Sequence, residues 1–401
     1  VRVNVTNGVD ETTTLHWHGM HLPARMDGGP HQMVEPGDTW SPEWTIDQPA
    51  ASLWYHPHLH GETAAQVYRG AAGMFLVDDP ASAPELPDTY GVDDIPLVIQ
   101  DKNFDDDGSL DSSEPLFTTV GVLGDTIVVN GTTNPHLDVT TERVRFRLLN
   151  GSNARVYDLG FPDGRSFALV AGDAGLLDQP YETDRIQLSP GERAEIVVDV
   201  APGEEAVLRS FAPDLGVPVV GRFSGGDDTF DILELRAADE LAPSPALPRE
   251  LATLDAPDPD DAVRTREFRL GDSRINGDRM DMDRVDEVVT VDTTEIWEIR
   301  NTDGNPHSFH PHLVHFTVLD VDGDPPPPEL AGWQDTVYVP PDTTIRIIAR
   351  FEDHADPTTP YMFHCHVLRH EDNGMMGQFV VVEPGDEPDL GGMAGMPGHD
   401  H

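Results

Sequence analysis

The chain has 401 residues, with 73 Asp+Glu against 25 Lys+Arg and a formal net charge of −48. A chain this acidic repels phosphates, and it has no basic stretch to serve as a local exception, which excludes a nucleic-acid binder. No apolar run reaches the roughly eighteen residues of a spanning helix, while a hydrophobic fraction of 38% is enough for packed cores.

Lys102 is the only lysine beside 24 arginines, a bias that acidity does not require. It reads as adaptation to high salt, which screens the self-repulsion of a dense carboxylate surface. Cys365 is the only cysteine, so no intramolecular disulfide is expected. At roughly 100–200 residues per domain the length predicts two to four domains.

In chain order, the sequence opens on the strand-like alternation VRVNVTN, with neither the charged nor the apolar region of an export signal. The expectation is a secreted or cell-envelope protein whose signal has been removed and whose opening strands lie upstream of Val1. Short β-branched runs bounded by Gly, Pro, Asp and Asn follow, at 127–130, 144–149, 195–200, 295–300 and 344–351. They predict an all-β chain of sandwich-type domains. Breaks at 78–94 and at 241–263, which holds five prolines, predict domains at 1–80, 90–240 and 264–388. The segment 241–263 is then a Pro/Asp-rich linker and 389–401 a flexible tail.

Seven of the 18 histidines lie between His16 and His60, and only His136 separates that group from His307. The recurring unit is His-x-His: His16/His18, His56/His58, His310/His312 and His364/His366. On an extended strand, residues i and i+2 share a face, so each unit aims two imidazoles at one region. A lone pair of this kind is more often an ordinary hydrogen-bonded pair. Four pairs supply more imidazoles than one ion can hold, which implies a polynuclear metal site between the first and third domains. Imidazole suits copper, zinc, iron or nickel.

Within HCHVLRHEDNGMM, residues 364–376, alternation turns Cys365 away from its histidine neighbours, so its sulfur must serve a second centre. A thiolate, two imidazoles and a weak thioether make the blue-copper set, and His307, His370 and Met375 are available for it. Only a few backbone bonds would then separate the two centres. Cys365 as a nucleophile with a histidine base would leave the other histidines without a purpose.

HWHG at 16–19, WYHPHLHG at 54–61, HSFHPH at 307–312 and HCHVLRHEDNGMM resemble, in order, the four copper motifs of the three-domain multicopper oxidases. The likeness is to bacterial and archaeal laccases and copper-efflux oxidases. DIPLVIQDKNF, RFRLLNGSNAR, INGDRMDMDRVDE and GWQDTVYVPP extend it over nearly the whole chain. The resemblance implies three cupredoxin-like Greek-key sandwiches and four copper ions. It makes His307, Cys365, His370 and axial Met375 the type 1 site, with Met376 as packing. His16 and His310 become type 2 ligands, and His18, His56, His58, His312, His364 and His366 hold the type 3 pair. Substrate electrons would enter at type 1 copper and pass along Cys365 to the cluster, where dioxygen is reduced to water. Glu371 and Asp27 match positions where relatives place acids near the cluster, and a carboxyl with a raised pKa there would relay protons.

For the electron donor, a small reductant such as a phenol or aromatic amine competes with Cu(I). Efflux-type relatives carry a methionine-rich insertion, whereas 241–263 has no methionine, which favours the laccase reading. Asp303, four residues before His307, resembles an acid that efflux-type members use for substrate copper. An electron-transfer protein without turnover would need only the type 1 set. Met393, Met396, His399 and His401 in the tail read as part of a disordered segment. His21, His31, His60, His136, His315 and His354 lack a ligand spacing.

Overall fold

The computed structural model describes residues 1–79, 85–115, 118–216 and 223–390. The tail residues Met393, Met396, His399 and His401 lie outside the described set. Among the described residues nearly all regular structure is strand, and the two α-helices, α1 (Thr63–Tyr68) and α2 (Leu368–Asp372), have six and five residues. Among the described residues no helix is long and apolar enough to cross a membrane.

The N-terminal unit pairs Ala51–His56 with His16–His18 on one side and Gly73–Val77 on the other. Trp17 and Leu53 point away from the histidines and pack with Leu22 and Trp44, so the strand pleat sends one face to the core and the other to the site. The middle unit stacks an eight-stranded sheet on a five-stranded one around Phe146, Tyr157, Phe161, Phe167 and Ile196. The C-terminal unit packs two five-stranded sheets around Phe268, Trp297, Phe309, Phe351, Phe363 and Phe379. Each such buried ring contributes roughly 1.5–3 kcal/mol.

Parallel neighbours show the topology. Arg143–Asn150 runs parallel to Asp94–Phe104, and Ala262–Gly271 parallel to Thr293–Asn301. Parallel strands cannot be joined by a hairpin, so the chain crosses between sheets, as in a Greek-key sandwich. The segment 241–263 is anchored rather than free. Leu247 and Leu251 pack on Leu86, Ala168, Val170 and Val197, and the Leu251 amide donates to the Asp178 carbonyl at 2.8 Å.

Candidate metal centres

Strand pairing brings the His-x-His units together. His16 lies opposite His56 in the N-terminal sheet, and His310 opposite His364 in the C-terminal sheet. The two sheets face each other, and eight imidazoles meet in a buried cluster: His16, His18, His56, His58, His310, His312, His364 and His366. The Nε2 atoms of His58, His312 and His364 lie 3.1–3.3 Å apart. His18 stacks on His310 and His16 on His312, with ring centroids 3.7 and 3.9 Å apart.

Hydrogen bonds decide which nitrogen of each ring faces inward. Nδ1 of His16 donates to the Asp27 carbonyl at 3.0 Å, Nδ1 of His310 to the Asp335 carbonyl at 2.7 Å, and Nδ1 of His56 to the Pro57 carbonyl at 2.7 Å. Their Nε2 atoms are left buried without a protein partner. His18 is turned the other way. Its Nε2 donates to Asp335 Oδ1 at 3.1 Å, and Nδ1 is the buried atom without a partner. Burial, reinforced by the neighbouring imidazoles, lowers the pKa of His18, His56, His310 and His312 well below the ordinary value. Burial likewise brings His58 and His366 down to about 3. Neutral rings with inward lone pairs are what a transition metal needs, so the donor set fits a polynuclear copper centre.

The second centre lies on the opposite face of strand Asp356–Cys365. Cys365 Sγ is 3.5 Å from Nδ1 of both His307 and His370, and these two atoms are 3.2 Å apart. Each Nε2 is held from behind, that of His370 by the Thr119 carbonyl at 2.8 Å and that of His307 by Asp303 Oδ1 at 3.2 Å. Met375 is fully buried in the same core cluster, with its amide on the His370 carbonyl and its carbonyl on the Cys365 amide. Burial alone would raise the Cys365 thiol, but the charge and hydrogen bond of His307, with His370, bring it down to about 5. His307 is opposed by burial and raised to about 9 by Cys365 and Asp303. The pocket is built for a thiolate.

Both predicted acids reach the cluster. Asp27 Oδ2 accepts from Nδ1 of His312 at 2.7 Å. Gly28 makes this turn possible, since its φ is +79° and a Cβ there would meet the Leu15 carbonyl at 1.8 Å. Glu371 lies 3.3 Å from Nδ1 of His58 and 3.2 Å from Nδ1 of His364. The raised pKa expected of such a carboxyl is not found at Glu371. Although burial pushes it up, His58, His364 and His366 outweigh that and hold it below the ordinary value. Its neighbour Asp372 is the raised group, at about 7, through burial and the charge of Glu371.

Residues that spacing does not mark also support the cluster. Arg193, fully buried, makes a two-pronged pair with both Asp335 oxygens at 2.6 Å and reaches the Ser52 carbonyl at 2.9 Å. Asp173 accepts the Arg193 and Thr336 amides at 2.7 and 3.0 Å. Asp335 lies in the motif GWQDTVYVPP, and that was its only signal in the sequence. The histidines without ligand spacing stay out of both centres: His315 bonds the Gly19 carbonyl, His31 bonds Gln378, and His136 is exposed. A cavity of about 1210 Å³ lies beside Leu86, Leu176, Leu251 and Trp333, and among the described residues no histidine lines it.

Multicopper oxidase family models match residues 1–82, 99–206 and 245–385. Multicopper oxidase mco of Staphylococcus haemolyticus is 36% identical over 95% of this chain and 79% of its own. Cell division protein FtsP of Dickeya dadantii is 37% identical over 95% and 81%. Among solved structures, the laccase-like multi-copper oxidase CueO of Ochrobactrum sp., with oxidase activity towards lignin model compounds and lignosulfonate, superposes with a TM-score of 0.87. It is 37% identical, over 95% of this chain and 88% of that one. With its fold, its paired histidine centres and these relatives in agreement, the chain belongs to the multicopper oxidase family.

Proposed function

We propose that the protein is a laccase-like oxidase of phenols, aromatic amines or similar small reductants, with dioxygen as acceptor. His307, Cys365, His370 and axial Met375 would hold type 1 copper. His16 and His310 would hold the type 2 ion, and His18, His56, His58, His312, His364 and His366 the type 3 pair. Bound copper supplies one-electron oxidation at the sulfur centre and reduction of dioxygen by four electrons and four protons to two waters at the cluster. The observation that carries the reading is the adjacency of the two centres: Cys365 on one face of its strand, His364 and His366 on the other.

A cavity of about 320 Å³ opens beside His307 and His370, giving a reductant a place near the sulfur centre. Asp272, Asp303, Asn305, Arg279 and Arg369 line it, and no thioether does. Such a wall suits a polar organic donor better than the soft Cu(I) ion. Asp303 keeps its charge, because the His307 hydrogen bond outweighs the burial that opposes it, and it can accept a hydrogen bond from a phenol hydroxyl. At the cluster, Glu371 and Asp27 orient the rings they touch and place carboxylates beside the dioxygen site. The contact of Asp303 with His307 favours the second reading, a cuprous oxidase.

The test is oxygen uptake by the copper-loaded protein in high salt, with 2,6-dimethoxyphenol and with Cu(I) in parallel. Fast uptake with the phenol and little with Cu(I) is expected. The reverse would make the protein a cuprous oxidase, and silence with both in a fully loaded blue protein would make it a non-turnover carrier.

A further inference from the structure

A separate set of donor atoms converges at the rim between the N-terminal and C-terminal units. His21 Nε2 lies 2.8 Å from Asp353 Oδ1, and His354 Nε2 lies 3.4 Å from the same oxygen. The two rings stand 4.9 Å apart at 42°. Their side chains are 19% and 24% exposed, and that of Asp353 is 51% exposed, so solvent reaches all three.

The tautomer of His21 makes this contact informative. Its Nδ1 faces the Leu313 carbonyl at 3.0 Å, and a carbonyl has no hydrogen to give, so Nδ1 carries the proton and donates it. Nε2 then faces a carboxylate oxygen 2.8 Å away. Positive charge must sit between them, as a proton or a metal ion. A second imidazole approaches the same oxygen, which brings three donor groups within reach of one ion. Nitrogen and oxygen ligands bound at about 2.0–2.2 Å to one ion stand roughly 2.9–3.4 Å from each other, close to the 2.8 and 3.4 Å found here. The bond from Nδ1 to a backbone carbonyl is also the usual support behind a metal-ligating histidine.

The φ of His354 is +60°, in the left-handed region where Asn, Asp and His are the enriched non-glycine residues, so an Asn can take its place there. We propose that His21, Asp353 and His354 bind one divalent transition-metal ion of the zinc or copper(II) class at the surface, tying the first unit to the third. Solvent completes its coordination. The sequence hides the site because His21 and Asp353 are 332 residues apart and none of the three has a ligand spacing.

The test compares total bound metal, copper plus zinc, in the copper-loaded wild type and in His354→Asn after dialysis against micromolar zinc in molar NaCl. Salt suppresses loose binding to the carboxylate surface, and Asn tolerates the left-handed backbone, so the variant loses only the ligand. The wild type should hold one metal equivalent more than His354→Asn and Asp353→Asn, in which affinity falls about tenfold or more. Zinc should raise the heat-unfolding midpoint of the wild type alone. Blue colour and phenol-driven oxygen uptake should be unchanged in His354→Asn. Equal metal content in wild type and His354→Asn would overturn the proposal, and so would a midpoint that responds equally to zinc in both.

Discussion

At the scale of single residues, the buried Arg193–Asp335 pair decides how the cluster is held. Asp335 fixes His18 through a side-chain oxygen and His310 through its carbonyl, while Arg193 arrives from the middle unit. Removing one partner leaves a buried charge alone, at about 3–5 kcal/mol. Asp335→Asn should therefore lower apoprotein stability in urea by that amount. It should also weaken cluster loading about 10–100-fold. Copper analysis should show the loss while the blue absorbance of the Cys365 centre stays.

Lys102 gives a pH test away from the metal centres. Its ammonium is buried 4.5 Å over the Tyr68 ring and donates to the Tyr68 carbonyl. Burial lowers its pKa to about 8. The folded chain therefore loses this proton before the unfolded chain does, near 10.5. Between those values the unfolded state binds more protons, so the contribution of this site to stability rises with pH. In urea titrations the stability of wild type minus Lys102→Met should climb by about 3 kcal/mol between pH 8 and 10.5. A flat difference would remove this account.

At the scale of elements, helix α2 places three successive side chains on three tasks. His370 faces Cys365, Glu371 faces His58 and His364, and Asp372 accepts the Thr63 and Ala64 amides at 3.0 and 2.9 Å. Steps of about 100° per residue allow this division. Helix α1 has no side-chain cap of its own, so the third unit caps a helix of the first. Asp372→Ala should cost about 1 kcal/mol in urea unfolding. The spacing of His370 from Cys365 was readable in the sequence, but the capping was not, because Asp372 and Thr63 are 309 residues apart.

At the scale of the whole molecule, the middle unit supplies no ring to either centre, yet it supplies Arg193 to the cluster and the Thr119 carbonyl to His370. It is a positioning body. The chain carries a formal net charge of −48, and self-repulsion falls as the screening length drops from about 10 Å at 0.1 M salt to about 3 Å at 1 M. The heat-unfolding midpoint should rise by several degrees between these salt concentrations, and a midpoint indifferent to NaCl would remove the high-salt reading.

The sequence by itself determined the all-β class, the His-x-His pairing and the division of residues 364–366 between two faces. These follow from the period-two pleat of a strand, which is a local property of the backbone. Only the tertiary structure decided which nitrogen of each imidazole faces inward and that Glu371 lies below the ordinary carboxyl range. The clamping of His18 by Asp335 and the meeting of His21 with Asp353 and His354 were its decisions too. Those outcomes depend on partners up to 332 residues away and on burial. Burial is a property of packed units, and no window of sequence carries it.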